Sequence, residues 1–259
     1  MQHFDGTPAA PHILYAGDDD LDRAAQYLGS IIGEQGYTLD YIASMLRFPD
    51  GVPLSSYQLL ILSDYPSARF TQEQMHDIVR YVRQGGSMLM IGGWESFSGL
   101  QKEYCNSPLA EILPVRMKSG DDRRNLCQGC IVLPKDSKHP VVRALRWDAP
   151  GIIGGYNALQ PKRGAVISII GRHLVITAKG KRISAAVQPK EIPLLVSWKV
   201  GEGLCTALAF DLAPHWVGGF VDWGKKRVRV DFNGAWIEVG NQYHQFVATL
   251  LSYCSRKDS

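Results

Sequence analysis

No run of apolar residues in this sequence approaches the roughly 18 needed to cross a membrane, because Leu59 to Leu62 and Met88 to Ile91 are each cut short by Ser, Asp or Gly. A membrane partner is therefore not expected. The opening residues, Met1-Gln2-His3-Phe4-Asp5-Gly6, lack the basic start and apolar stretch of a secretory signal, and this predicts a cytoplasmic chain. No fixed period is present, which excludes collagen-like and solenoid architectures. There is no G-x-x-x-x-G-K-S/T loop and no G-x-G-x-x-G after a strand, so the cofactors those loops hold are not expected. Cysteine is sparse. Five in 259 residues is an odd number in a chain too long to need stapling, and reduced thiols are the simplest reading.

Charge of one sign is also missing locally. Residues 149–190 contain no Asp or Glu but seven bases, among them Lys179, Lys181 and Arg182. Residues 1–60 invert this, with eight acids against Arg23 and Arg47. The net charge of +3 hides this asymmetry and is too small to imply a nucleic-acid partner. The basic cluster Lys225-Lys226-Arg227-Val228-Arg229 alternates like an edge strand, where charge blocks sheet-to-sheet association.

With 45% hydrophobic and 20% charged residues the chain can bury a sizeable core. His12 to Gly17 reads as a strand, and Leu21, Ala24, Ala25, Leu28, Ile31 and Ile32 recur at helical spacing up to Gly36. Tyr37 to Ile42 alternates, while Gln58 to Ser63 and Ser87 to Ile91 are continuous apolar strands of the kind buried on both faces. Thr71 with Gln74 predicts a capping box opening a helix that ends at Gly85-Gly86. This alternation predicts an α/β fold: three α/β/α layers around a mostly parallel, flavodoxin-like sheet. The second half is β-rich. Turns are expected at Gly171-Arg172-His173, Gly180-Lys181 and Gly201-Glu202-Gly203, and Tyr243 to Cys254 has the period of a final helix. No linker separates the halves. We therefore expect one domain over residues 1–259, with a core at about 10–115 completed by C-terminal strands and the last helix, and a β-rich elaboration at about 127–205.

Ligands bind outside the carboxyl ends of parallel strands, so the loops after the strands are the candidate site. Asp18, Asp64, Gly93, Trp94, Tyr156, Asn157 and Asp211 are expected to line it, as aromatic walls with several acids. Ser96 is a candidate nucleophile or part of a structural turn, because Gly93 to Gly99 resembles a nucleophile elbow without its G-x-S-x-G spacing. His215 is a candidate general base or a structural histidine, and Glu95 a candidate acid–base group. Cys127-Gln128-Gly129-Cys130 could be inert, redox-active or half of a zinc site. It has no second pair, and no metal or other cofactor is expected.

The run from Gly85 through Ser87-Met88-Leu89-Met90-Ile91-Gly92-Gly93-Trp94-Glu95-Ser96 to Gly99 is followed in order by Ser107-Pro108-Leu109, Ile112-Leu113-Pro114-Val115, Asp121-Asp122-Arg123, His139-Pro140-Val141-Val142, Gly154-Gly155-Tyr156-Asn157 and Asp211 to Trp216. In this series the chain resembles the putative glutamine amidotransferase family, which implies a class I glutamine amidotransferase-like fold over most of the chain. Working enzymes of that class carry an elbow cysteine activated by a later His and Glu. Here the elbow reads Gly92-Gly93-Trp94-Glu95-Ser96, with no cysteine, and His215 is followed by Trp216-Val217 rather than His-x-Glu. The resemblance therefore implies the fold without glutaminase activity, and a small polar ligand or a partner bound at the carboxyl edge of the sheet. Two alternatives are a hydrolase in which His215 or Glu95 activates water, with or without a metal held by acids such as Asp18 and Asp64, and a structural homo-oligomer with a vestigial pocket.

Overall fold

The computed structural model describes residues 11–257, apart from the side chains of Lys102 and His215. The chain opens with β1 (His12–Gly17), α1 (Ala24–Glu34), β2 (Thr38–Ile42), β3 (Leu59–Ser63), α2 (Gln72–Arg83) and β4 (Ser87–Ile91). A small hairpin of β5 (Ser98–Gly99) and β6 (Lys102–Glu103), the single turn α3 (Leu109–Ile112) and β7 (Val115–Arg116) lead into the long β8 (Arg123–Pro134). Next come α4 (Pro140–Arg143), β9 (Ile152–Asn157), β10 (Gln160–Pro161), β11 (Val166–Lys179), β12 (Arg182–Val187), β13 (Ile192–Val200) and β14 (Gly203–Leu208). The chain closes with α5 (Pro214–Val217), β15 (Arg227–Phe232), β16 (Ala235–Gly240) and α6 (Asn241–Ser255).

The main sheet runs β2-β1-β3-β4-β14-β13-β11-β8-β9, with β12 paired to β11. From β2 to β14 every pairing is parallel, in the order of a flavodoxin-like doubly wound sheet. From β14 to β9 every pairing is antiparallel. The α/β class and the flanking helices thus agree with the sequence, with α1 and α6 packed together on one side and α2 and α3 together on the other. β3 and β4 are buried at every residue, as their unbroken apolar runs require. The α2 capping box forms: Thr71 Oγ1 accepts from the Gln74 amide at 3.1 Å and Gln74 Oε1 accepts from the Thr71 amide at 2.9 Å.

One expected turn is absent. β11 passes straight through Gly171-Arg172-His173, with Gly171 opposite Val132 of β8 and Ile192 of β13. The glycine is there for space: a Cβ at this position would overlap Cys130 Sγ and come within 3.0 Å of Leu194 Cδ1. The turns at Gly180-Lys181 and Gly201-Glu202 do form, closing the β11–β12 and β13–β14 hairpins. The antiparallel half also curls. The amide of Asn157, at the end of β9, donates to the carbonyl of Ala209 beyond β14 at 2.7 Å, returning the far edge of the sheet to the parallel core.

Candidate functional site

The strand order reverses between β1 and β3, which leaves a crevice over their carboxyl ends. Gly17 ends β1 at φ +141°, where a Cβ would overlap the Ser63 carbonyl, and the next amide, that of Asp18, donates to that carbonyl at 2.8 Å. Asp18 and Asp64, the first residues beyond β1 and β3, both adopt φ 50°, a left-handed conformation that Asp tolerates better than most residues. Both residues line one open cleft of about 660 Å³, shared with Asp19, Asp22, Ser44 and Pro214.

This cleft is electrostatically loaded. Asp18 is buried, its Oδ2 accepts from the Tyr15 hydroxyl, and its Oδ1 has no hydrogen-bond partner among the described residues. Burial, reinforced by the charges of Asp211 and Asp64, pushes its carboxyl well above the ordinary range. Asp211, just past β14, is also raised by burial and by Asp64, and its Oδ1 accepts from the Ala213 amide at 2.8 Å. Tyrosines buttress the floor: Tyr41 donates to Gly17 O at 3.0 Å and Tyr243 to Leu212 O at 2.6 Å.

After β4 the chain passes through Gly92 and Gly93. A Cβ on Gly92 would stand 2.7 Å from Ala209 O, and one on Gly93 would stand 2.6 Å from Asp64 Oδ1. Close approach, rather than left-handed backbone, requires these glycines. The chain then bends into the β5–β6 hairpin and not into a helix, so no helix N-terminus lies under the turn as a nucleophile elbow requires. Ser96 is 2% exposed and its Oγ accepts from the Asp64 amide at 2.9 Å, while the Glu95 amide donates to Asp64 Oδ1. Both residues therefore hold the Asp64 loop. The Glu95 carboxylate accepts from the Gln101 amide at 2.9 Å. Trp94 stands at the rim, 47% exposed, with the Arg123 guanidinium 4.8 Å above its ring and forked onto Asp121 at 2.8 and 2.9 Å.

Asn157 ties the elbow to the antiparallel half. Fully buried, it accepts from the Gly93 amide at 3.0 Å and donates to Gly93 O at 3.1 Å and to Asp122 Oδ1 at 2.7 Å. Burial pushes the Asp122 carboxyl up to about 6. Tyr156 does not join this group. Successive strand residues face opposite sides of a sheet, and its hydroxyl lies 3.0 Å from His173 Nε2 on the other face. His215 belongs to α5, and its side chain lies outside the described residues. The fold thus assembles Asp18, Asp64 and Asp211 over a frame of Gly93, Ser96 and Asn157. Sequence reading picks out neither Asp122 nor Arg123 as a site residue, although the Asp121-Asp122-Arg123 run was the available signal.

The thiols stand apart from this group. Cys105 Sγ donates to Glu103 Oε2 at 3.0 Å, and burial together with that carboxylate pushes its thiol up to about 11. Cys127 lies within an irregularity of β8 that ends at Cys130, and not at a helix N-terminus, and burial raises Cys130 to about 12. Among the described residues no three His, Cys, Asp or Glu side chains are grouped to hold a metal ion.

Solved structures share this architecture. The cytoplasmic protein STM1381 from Salmonella typhimurium LT2 is 25% identical, with a TM-score of 0.70 over 94% of this chain and 99% of that one. The cytoplasmic protein STM3548 from Salmonella typhimurium is 23% identical, with a TM-score of 0.69 over 93% and 98%. A ThuA-like protein from Bacteroides uniformis ATCC 8492 shares the fold at 11% identity, with a TM-score of 0.58 over 98% and 95%. No curated protein sequence matches the chain. The strand order, the glycine-paired turn after β4 and a family model that matches residues 17–237 agree, and the chain belongs to the putative glutamine amidotransferase family, with its class I glutamine amidotransferase-like fold.

Proposed function

We propose that this protein has the amidotransferase-like fold without glutaminase chemistry, and that it binds a small polar ligand bearing hydroxyl or amino donors in the acidic cleft over β1 and β3. The observation that carries this reading is the convergence of Asp18 and Asp64 on that cleft, with Asp18 Oδ1 buried and lacking a donor among the described residues. A buried acceptor of this kind costs free energy until a donor reaches it, and a ligand hydroxyl or ammonium supplies one. The absence of a cysteine from residues 92–99 and the protonated state of Cys105 support a role without a thiolate nucleophile. The two Salmonella relatives are called cytoplasmic proteins, and we carry that location over. In the hydrolytic alternative His215 or Glu95 activates water, and the Glu95 carboxylate is already engaged by the Gln101 amide.

Thermal-shift titration of the full chain with amino sugars, hexoses, polyamines and amino acids at millimolar concentration tests the reading. At least one class is expected to raise the melting midpoint by about 2 °C or more, as mass action on the folded state requires. Asp64→Asn keeps the oxygen that accepts from the Glu95 amide but removes the charge, and it is expected to abolish the shift. A panel without any shift, or a shift unchanged in Asp64→Asn, contradicts the proposal.

A further inference from the structure

Beyond His173, where β8 and β13 no longer flank it, β11 continues with β12 as a two-stranded arm. The Gln128 side chain extends the ladder once more, bonding Ile176 N and O at 3.1 Å each, and every residue from Ile176 to Glu191 is exposed. The register sorts the arm into two faces. Leu174, Ile176 and Ala178 lie opposite Val187, Ala185 and Ile183, so one face is wholly apolar, and Ile183 is 77% exposed. The other face pairs Val175 with Ala186 and Thr177 with Ser184, the latter bonded at 2.6 Å, and ends in Lys179 opposite Arg182. A free two-stranded hairpin is marginal in water, and an amphipathic one with a bare apolar face calls for a cover.

A surface of matching chemistry lies on the same chain. Met45, Leu46 and Leu100 are 60%, 55% and 65% exposed at the carboxyl edge of the sheet. Their loops border the Asp18–Asp22 segment: the Ser44 amide donates to Asp18 O at 2.8 Å, and Arg69 joins Ser44 O at 3.1 Å to Gln101 Oε1 at 3.4 Å. Lys179, Lys181 and Arg182 form no ion pair among the described residues, and neither do Asp20 and Asp22. Within one chain β11 is separated from β1 by β3, β4, β14 and β13.

We infer that the β11–β12 arm is a dimerisation arm, laid with its apolar face on the Met45, Leu46 and Leu100 patch of a second copy and with Lys181, at its turn, against that copy's Asp20 and Asp22. Two such contacts, each copy giving one arm and receiving one, close under two-fold symmetry. Opposite charge at the rim steers and registers the contact, while the apolar faces supply its core.

Light scattering on the full chain during size-exclusion chromatography, at concentrations up to about 100 μM, reads the state directly. The expected mass is twice that of the chain. Ile176→Asp with Ile183→Asp is expected to return the mass to that of one chain with an unchanged circular dichroism spectrum. Lys181→Glu is expected to weaken association on the order of threefold to tenfold, and adding Asp20→Lys with Asp22→Lys to the same chain to restore it. A wild-type chain that stays single throughout this range overturns the inference. So does a dimer that survives the Ile176→Asp and Ile183→Asp changes, or a charge reversal that its counterpart fails to rescue. These readings are masses, so they stand or fall apart from ligand binding in the cleft.

Discussion

Asp122 shows how a single residue carries the energetics of this site. Asn157 occupies one of its oxygens, Oδ2 has no partner among the described residues, and burial lifts the carboxyl from 3.8 to about 6. Such a group holds its proton more tightly in the folded chain than in the unfolded one. The stability it contributes is complete below the unfolded value and drains away as pH rises through about 6. That gap is worth about 3 kcal/mol as an order of magnitude. Asp122→Asn keeps the acceptor that Asn157 uses and cannot ionise. Chemical denaturation of wild type and variant between pH 4.5 and 8 is expected to show the variant gaining on the wild type as pH rises, by about 2 kcal/mol across that range. A difference between the two proteins that does not move with pH contradicts this assignment. Asp18 and Asp211 are raised in the same direction by burial and by neighbouring carboxylates, so the wild type itself carries several acids that favour protonation.

Among the elements, those whose signals are local are legible in the sequence. Continuous apolar runs mark β3 and β4, and Thr71 with Gln74 marks the start of α2, because each signal acts within a few residues. The same rule places Asp18 and Asp64 at strand ends, and from there in one cleft. Contacts set by distant strands are not legible. Gly171 resembles a turn glycine, yet it sits within β11 because the Cys130 and Leu194 side chains fill the space above it. Tyr156 and Asn157 read as a pair on the line, but the pleat sends one to His173 and the other to Gly93. Asp122 reaches the site only because the antiparallel half curls back to Ala209. The packing account of Gly171 makes a prediction. Gly171→Ala is expected to destabilise the protein by about 1–3 kcal/mol through overpacking against Cys130. Combined with Cys130→Ala, the loss is expected to fall short of the sum of the two single losses, since each change relieves the other. Additive losses in a denaturation double-mutant cycle contradict the packing account.

For the whole molecule, the sheet joins two parts with different work. The parallel half, from β2 to β14, presents acids over a crevice, and the antiparallel half returns Asn157 and Asp122 to brace the glycine turn beside them. The acidic stretch over residues 11–60 lies on the parallel half, and the basic stretch without an acid lies on the antiparallel half and its arm. The family fold is present, and the turn after β4 is packed with Gly93, Ser96 and Asp64 locked together. Residues 92–99 contain no cysteine, and burial and the Glu103 carboxylate push the Cys105 thiol beyond the turn up to about 11. The most direct test is ammonia release from L-glutamine by the purified full chain, measured beside Cys105→Ala. The account predicts no release above the blank from either protein. Glutamine-dependent ammonia from the wild type that disappears in Cys105→Ala would contradict it.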